Sequence, residues 1–372
     1  MNTLPAALRQ IDRTYVRFRN KKLSYFSGCD YFRLASHPAV LGALRDGLKK
    51  FGLNVAASRL TTGNHELYER LESRLAKFFD VERALLFSSG YLANLGVAQA
   101  LAGNFSHALI DERAHASLLD AAEMLDCPLF RFRHRDPDDL ERALKRLGKL
   151  VRPILLTDGM FSQDGSVAPL KAYFEILPGE GWILVDDAHS AGVLGKTGRG
   201  TAEYARVPAK RIIQTITLSK AFGVFGGAVL GGRELIQRIL TRSRLFVANT
   251  PMPLPLASAA LRSIELLQSN ESLRSRLVNN VRYVKTKLVE AGYPVAPTTS
   301  PIVPMTARND REIASFNREL IARGIYPPFI QYPGGPSIGS FRFALSSEHR
   351  HGQLDDLLDA LLSHHQRRVK RC

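Results

Sequence analysis

The sequence predicts an α/β fold that contains a large, mainly parallel sheet, and three features of the chain support this prediction. Short apolar runs rich in β-branched residues alternate with longer amphipathic stretches from residue 84 to residue 232. Two of these runs, 182–185 and 212–218, end abruptly in polar residues. A glycine-rich return, 223–232, follows the second run. Buried parallel strands covered by helices show this pattern, and ligands bind at their carboxyl ends.

The elements are expected to begin with an N-terminal arm over 1–45, followed by a large α/β domain over 46–255. The arm includes an edge strand at 23–26. The large domain opens with a helix on which Leu67, Leu71, Leu75 and Phe79 recur four residues apart. Its expected strands are 84–87, 108–110, 154–157, 183–185, 212–218 and 228–230.

A smaller C-terminal α+β domain with its connecting helix is expected over 256–372. Apolar residues at helical spacing from Leu273 to Leu288 predict a long helix that ends near Gly292. Strands at 302–306 and 341–345 and a helix at 353–362 complete this domain. A chain of 372 residues is long enough for one large and one smaller domain.

The composition narrows the class of protein. An apolar content of 45% and a charged content of 23% are ordinary for a soluble enzyme. The net charge of +16 is spread along the chain, apart from a basic tail at 367–371, which favours a phosphate-bearing substrate over nucleic acid. Cys29, Cys127 and Cys372 are too scattered for a disulfide framework or a metal cluster. Without a signal peptide or an apolar run that could span a membrane, a cytoplasmic protein is expected.

Lys220 is the first candidate for chemistry, because it follows an apolar strand and precedes a glycine-rich segment. Partial burial lowers the pKa of a lysine in such a place and supplies the free amine that a Schiff base requires. A lysine that extends into solvent from the strand end is the alternative.

Asp186 and His189 stand at the end of another predicted strand. Neighbouring side chains on a strand point to opposite faces, so Asp186 and Asp187 do not serve the same ligand. A carboxylate beside a pyridinium nitrogen would keep that nitrogen protonated. For His189, a hydrogen-bonded core histidine is the alternative.

Three further positions suit a phosphorylated aromatic ligand and a carboxylate. The sequence predicts a strand, a tight turn and the start of a helix over residues 84–91. The free N–H groups at such a helix start can bind a phosphate, although an ordinary βα turn has the same pattern. His115 follows an apolar run and could lie flat over an aromatic ring, or it could cap a helix. Arg342, between two phenylalanines, suits bidentate capture of a carboxylate, with a surface salt bridge as the alternative.

Six strings, in this order, give the chain a close resemblance to the α-oxoamine synthases. They are SRLTTGN at 58–64, LFSSGYLAN at 86–94, HAS at 115–117, DGMFSQDG at 158–165, DDAH at 186–189 and TLSK at 217–220. These enzymes use pyridoxal 5'-phosphate (PLP), have the fold type I architecture of aspartate aminotransferase, and condense an amino acid with an acyl-CoA while releasing CO2. The resemblance extends from about residue 25 to residue 362.

The resemblance implies that Lys220 binds the cofactor covalently and later moves the α-proton of the substrate. It implies that Asp186 pairs with the pyridine nitrogen, that His115 stacks on the ring, and that His189 approaches the phenolic oxygen. The other residues that it assigns to the cofactor are Gly90 and Tyr91 with Ser89 and Thr217 at the phosphate, and Ser162 with Asp158 near the phenolic oxygen.

Two further roles concern the partner subunit and the substrate. Thr250 matches a residue that reaches the phosphate from the partner subunit, which implies a homodimer. Arg342 matches the arginine that binds the amino-acid carboxylate. L-Alanine is the favoured amino acid, with glycine and serine open, and a pimeloyl thioester of CoA or of a carrier protein is the favoured acyl donor.

The chain departs from the family pattern at two places. The family shows Asn-Asp-Tyr-Leu-Gly-Leu where this chain has Cys29-Asp30-Tyr31-Phe32-Arg33-Leu34, and a glycine-rich turn where this chain has Val-Ala-Ala at 55–57. Both places fall on the side where the acyl donor is expected, so another fatty or dicarboxylic acyl group stays open. Cys29 is expected to be a packing residue.

Three other functions are alternatives to this interpretation of the sequence. An aminotransferase would keep the cofactor, but the DGMFSQDG and HAS strings argue against it. A non-catalytic partner subunit would not need Lys220, Asp186 and His189, all of which are present. A nucleic-acid-binding role would require steeply salt-dependent binding to DNA.

Overall fold

The computed structural model describes residues 6–148, 150–296, 298–331 and 338–369. Strands β1 (Arg9–Gln10), β2 (Tyr15–Phe18) and β3 (Lys21–Ser24) form a small antiparallel sheet at the start of the chain. The predicted edge strand at 23–26 is therefore wrong in its bounds. Arg19 and Asn20 both have positive φ, which makes a tight two-residue hairpin loop and begins β3 already at Lys21.

Two amphipathic helices follow the arm, α1 (Pro38–Phe51) and α2 (Glu66–Phe79). The apolar residues that predicted α2 are all buried, which confirms the helical periodicity. The side chain of His65 accepts the N–H of Leu67 at the start of α2, and Asp80 ends the helix in the left-handed conformation.

The central sheet has seven strands in the order β4-β10-β9-β8-β7-β5-β6. Their bounds are β4 (Arg83–Phe87), β5 (His107–Asp111), β6 (Leu129–Phe132), β7 (Pro153–Asp158), β8 (Trp182–Asp186), β9 (Ile212–Thr217) and β10 (Gly227–Gly231). Only β10 runs antiparallel to its neighbours, so the prediction of a mainly parallel sheet is confirmed. Strand β6 was not predicted, because it lies at the edge and two of its four residues are exposed.

Helices cover both faces of this sheet. They are α3 (Gly90–Leu101), α4 (Ala116–Glu123), α5 (Pro137–Leu147), α6 (Leu170–Ile176), α7 (Thr201–Ala205), α8 (Arg233–Arg242) and α9 (Arg244–Val247). The neighbouring residues Leu85 and Leu86 of β4 belong to different hydrophobic clusters, one on each side of the sheet. Strand β4 is therefore buried on both faces, which explains its continuous apolar sequence.

The C-terminal region begins with two long helices, α10 (Leu254–Ser269) and α11 (Glu271–Glu290). It continues with β11 (Ile302–Thr306), α12 (Asp310–Ala322), β12 (Phe329–Ile330), β13 (Ser340–Ala344) and α13 (His351–Val369). The three strands form an antiparallel sheet in the order β11-β13-β12. The predicted long helix and both predicted strands are confirmed to within a residue or two, whereas α13 is longer than predicted.

The domain boundaries at 45/46 and 255/256 stay predictions. Within the described ranges, none of the helices combines the length and the apolar character that crossing a membrane requires.

Candidate active site

Three strands of the central sheet bring polar residues to the same edge. Asp158 ends β7 and Asp186 ends β8, and the two residues are paired in the parallel register. Lys220 lies three residues after the last residue of β9, the next strand in the sheet. The carboxyl ends of parallel strands therefore gather the candidate residues where open α/β sheets bind ligands.

Two N–H donors orient the Asp186 carboxylate. Asn94 Nδ2 donates to Oδ2 over 2.6 Å, and the backbone N–H of Ala188 donates to Oδ1 over 2.9 Å. Asp187 points to the other side, where it accepts hydrogen bonds from Thr201 and Gln214. The alternation along the strand thus separates a carboxylate that faces the site from one that holds the fold.

Asn94 links Asp186 to His115 and was not recognised as a site residue from the sequence. Its Nδ2 also donates to Ser117 Oγ over 2.9 Å, and Ser117 Oγ lies 2.7 Å from Nδ1 of His115. Thr215 Oγ1 donates to Asn94 Oδ1 over 2.6 Å. Asn94 is fully buried on a largely apolar helix, and such a polar residue among apolar ones was the signal that could have revealed it.

His115 is held from both its backbone and its ring. Its N–H donates to Asp158 Oδ2 over 2.8 Å, and its Nδ1 accepts the N–H of Ser117 over 3.2 Å at the start of α4. Burial lowers the pKa of His115, and the charge of Asp186 opposes this shift. The ring is therefore neutral at pH 7, with its proton on Nε2.

Asp158 is buried beside Asp186. Burial raises the pKa of Asp158 well above its usual range, and the negative charge of Asp186 raises it further. The N–H of His115 is one of the groups that oppose this shift. Of the two aspartates, Asp158 is thus the one that supports His115, while Asp186 faces the site.

Tyr31 and His189 form a buried pair that the sequence did not reveal. Their Oη and Nδ1 atoms are 2.7 Å apart. Burial raises the pKa of Tyr31 well above its usual range, so its hydroxyl stays protonated and donates. Burial, with the nearby cations of Lys220 and Arg342, lowers the pKa of His189 well below its usual range. His189 is therefore neutral and carries its proton on Nε2.

Lys220 lies half-buried in the middle of these groups. Burial lowers the pKa of its amine, and the nearby acidic groups, Cys29 first and then Asp186 and Asp158, oppose that shift. Among the residues that the structure describes, no hydrogen bond or ion pair engages the Lys220 amine. A lysine with a lowered pKa and no partner supplies a reactive amine.

The turn between β4 and α3 packs against the ends of β9 and β10. Ser89 caps α3 by accepting the N–H of Leu92 over 3.2 Å. A Cβ at Gly90 would lie 3.0 Å from Cβ of Thr217, and one at Gly227 would lie 2.5 Å from the Gly90 nitrogen. The close approach requires glycine and leaves the start of α3 next to Thr217. The N–H groups of such a helix start suit a phosphate.

Tyr91 and Thr250 project away from this turn. Tyr91 is 41% exposed, and its hydroxyl donates to Asp120. The rings of Tyr91 and His115 meet edge-on, with a centroid separation of 6.2 Å. Thr250 is exposed in the segment between α9 and α10. Its neighbour Asn249 donates to Ser88 Oγ over 3.1 Å. An exposed Thr250 is compatible with a contact to a partner subunit, which stays a proposal.

Arg342 reaches the site from β13. Its Nη1 donates to the carbonyl of Ser162 over 3.1 Å, and its Nη2 donates to Sγ of Cys29 over 3.7 Å. Ser162 therefore contacts Arg342 through its backbone, and the predicted role of its hydroxyl stays a proposal. Cys29 packs against the core as expected, but its thiol also contacts Arg342, which the sequence did not predict.

These residues fit PLP. Glycines at 90 and 227 allow the start of α3 to pack closely against β9 and β10, and the N–H groups of this helix start suit the phosphate. The Lys220 amine would suit the aldehyde, and the oriented carboxylate of Asp186 suits the ring nitrogen. The fold and the site together define a PLP-dependent enzyme of fold type I.

Comparisons with known proteins agree with this class. The sequence profile of the aminotransferase class I and II family matches residues 30–361. The 8-amino-7-oxononanoate synthase of Thioalkalivibrio sulfidiphilus is 38% identical over 90% of this chain and 86% of its own length. The chain belongs to the aminotransferase class I and II family and, within it, to the α-oxoamine synthases.

Two solved structures show the same fold. A variant of the serine palmitoyltransferase of S. paucimobilis, solved with a bound PLP–myriocin aldimine, has a TM-score of 0.90 and 27% identity, covering 97% of this chain and 92% of that one. The 8-amino-7-oxononanoate synthase of Francisella tularensis has a TM-score of 0.81 and 26% identity, covering 93% of this chain and 99% of that one.

Proposed function

We propose that the protein is a decarboxylating acyltransferase that condenses a small amino acid with an acyl thioester. L-Alanine and a pimeloyl thioester are the favoured substrates, and the products would be an α-amino ketone, CO2 and the free thiol of the carrier. The relatives named 8-amino-7-oxononanoate synthase support this reaction, which belongs to biotin synthesis. The observation that carries the proposal is the Lys220 amine near Asp186, His189 and Arg342, which none of the described residues engages in a hydrogen bond or an ion pair.

The residues of the chain divide the work of the reaction. Lys220 would hold the cofactor, and its Nζ would accept the α-proton of the amino acid. Arg342 binds the amino-acid carboxylate, and a charge-assisted contact of this kind contributes about 1.5–3 kcal/mol. When PLP is bound, it supplies the electron sink that stabilises the negative charge left at the α-carbon.

The other residues would orient the cofactor and adjust its protonation state. Asp186, fixed by Asn94 and Ala188, would pair with the ring nitrogen and keep it protonated. His115 would stack on the ring, and burial keeps it neutral. His189 would present an Nε2 proton to the phenolic oxygen, because Tyr31 occupies its Nδ1. Ser89, Gly90, Tyr91 and Thr217 would hold the phosphate.

A homodimer in the cytoplasm is part of the proposal. Leu41 and Leu48 are seven residues apart on one face of α1 and are 47% and 46% exposed, and Leu53 and Phe225 are also exposed. Leu41 and Leu48 give α1 an exposed apolar face that a partner subunit could cover. A second copy would bring its Thr250 to the phosphate.

A second candidate differs only in its substrates. The serine palmitoyltransferase structure has the higher TM-score, which favours testing serine with a long-chain acyl thioester. One extra methylene or hydroxyl in a pocket changes affinity by only about 1–3 kcal/mol, so both substrate pairs have to be measured.

The test begins with the PLP-loaded full chain. Its visible absorbance is followed while glycine, L-alanine and L-serine are added in turn, and thiol and CO2 release are then measured with pimeloyl-CoA and palmitoyl-CoA. We expect L-alanine to shift the absorbance and to release CO2 only when pimeloyl-CoA is present. Release of a keto acid without any acyl thioester would contradict the proposal and indicate an aminotransferase.

A further inference from the structure

The turn that carries Cys29 is held in a fixed conformation. Gly28 has a φ of +73°, a value that glycine adopts without strain. The Asp30 carboxylate accepts the N–H groups of Leu34 and Ala35, both over 2.9 Å. The N–H of Tyr31 donates to the carbonyl of Cys29 over 3.0 Å. The position of the Cys29 thiol is therefore set before any substrate arrives.

The same turn is attached to the candidate site at a second point. Two residues after Cys29, Tyr31 donates to His189 over 2.7 Å. The turn thus contacts the segment that follows β8 through Tyr31 and a residue of the small sheet through Cys29. A turn that is held by contacts on both sides restricts the orientation of the residue it touches more than a free loop does.

Arg342 is oriented without being neutralised. Its two hydrogen bonds go to the Ser162 carbonyl and to the Cys29 sulfur, which are both neutral acceptors. Within the described ranges, Arg342 forms no ion pair with an aspartate or glutamate. Its half-buried charge is therefore still available for a carboxylate from the substrate.

The chemistry of sulfur suits this arrangement. A thiol is a weak hydrogen-bond acceptor that occupies one Nη2–H of Arg342 and leaves other N–H groups of the guanidinium for a carboxylate. A carboxylate side chain in the same place would bind the guanidinium strongly and compete with the substrate. Cys29 therefore restricts the rotation of the guanidinium and keeps its hydrogen bond when the substrate binds.

We infer that Cys29 is a positioning residue for Arg342, which its thiol holds in the orientation that receives the carboxylate of the amino acid. This inference rests on the proposed function, because it assigns to Cys29 a part in the binding of the amino-acid substrate.

The test compares two ligands that differ only in the carboxylate. L-Alanine carries it, and L-alaninamide has a neutral amide in its place. Dissociation constants for both are measured from the visible absorbance of the bound cofactor, using the PLP-loaded wild type and the Cys29→Ala variant. We expect Cys29→Ala to weaken L-alanine binding about 3- to 10-fold, the effect of one hydrogen bond, and to leave L-alaninamide binding within about twofold.

Three variants complete the design. Cys29→Ser keeps an acceptor and should bind L-alanine within about threefold of the wild type. Arg342→Gln should remove most of the preference for L-alanine over L-alaninamide, which shows that the assay reports the carboxylate contact. Cys127→Ala removes a half-buried thiol in another hydrophobic cluster and should change neither constant.

The outcomes separate this inference from the proposed function. Equal weakening of both ligands by Cys29→Ala would mean that the thiol only packs, and no change in either would mean that it has no role. Each result would overturn the inference alone, provided that the wild type responds to L-alanine. A PLP-loaded wild type that responds to no amino acid would overturn the proposed function and this inference together.

Discussion

Replacing Tyr31 by phenylalanine tests the buried pair that the sequence did not reveal. Tyr31 is 1% exposed, and its hydroxyl donates to Nδ1 of His189 over 2.7 Å. The Tyr31→Phe substitution keeps the ring but leaves this nitrogen buried without its donor. An unsatisfied buried polar atom costs about 1–3 kcal/mol, so we expect the free energy of unfolding of the PLP-free protein to fall by that amount.

Tyr173 provides a matched control. It is 0% exposed, and its ring meets Phe132 edge-on with a centroid separation of 5.6 Å. Its hydroxyl finds no hydrogen-bond partner within the part of the chain that the structure describes. Tyr173→Phe therefore removes a buried hydroxyl that is not compensated, and we expect unchanged or slightly higher stability.

The assay is urea unfolding of both variants and the wild type at one protein concentration, combined with steady-state turnover of the PLP-loaded forms. Because Tyr31 fixes the proton of His189 on Nε2, we expect Tyr31→Phe also to lower kcat by about 10-fold, as other orienting partners of histidine do. Equal effects of the two substitutions on stability and on kcat would refute the reasoning, since the rings are buried to the same extent.

Three further predictions concern other parts of the site and the fold. Lys220→Ala should leave a folded protein whose turnover falls about 100-fold or more, whereas the exposed Lys171→Ala should be unaffected in the same assay. Asn94→Ala removes hydrogen bonds to Asp186, Ser117 and Thr215 and should lower the free energy of unfolding by about 3 kcal/mol, measured by urea unfolding; a loss below about 1 kcal/mol would contradict the network. Burial and the Arg33 cation lower the pKa of His349 to about 3, whereas the pKa of histidine in the unfolded chain is about 6.5. Between these two pH values only the unfolded chain binds the proton, so the folded protein loses stability as the pH falls from 6.5 towards 3. Between pH 7 and pH 5 the wild type should lose about 2 kcal/mol more than His349→Asn does, and parallel pH profiles would show that His349 is not the source.

The sequence was sufficient for the parts of the fold that depend on local patterns. Periodicity located α2 and α11, and apolar runs located six of the seven strands of the large sheet. It failed where a strand is exposed, as in β6, and where two left-handed residues close a hairpin without glycine, as at Arg19 and Asn20. Strand β6 depends on its pairing with β5, and the hairpin depends on the backbone dihedral angles of its loop, and apolar periodicity indicates neither of these.

The sequence likewise predicted some residues of the candidate site and missed others. The strand ends predicted that Asp186 and Lys220 would lie at one edge, because parallel strands share their carboxyl side. The contacts of Asn94, Tyr31 and Cys29 join residues that are 92, 158 and 313 positions apart in the chain. Neither spacing nor composition relates positions so distant in the sequence, so only the folded chain reveals these three contacts.

The measurement that tests the account most directly is the location of the bond between the protein and its cofactor. The PLP-loaded protein is treated with borohydride, which makes a bond between an amine and the cofactor permanent, and is then digested and analysed by mass spectrometry. The account predicts a label on Lys220 in the wild type and none in Lys220→Ala. A label on another lysine of the wild type, or no label in a protein that has bound PLP, would contradict it.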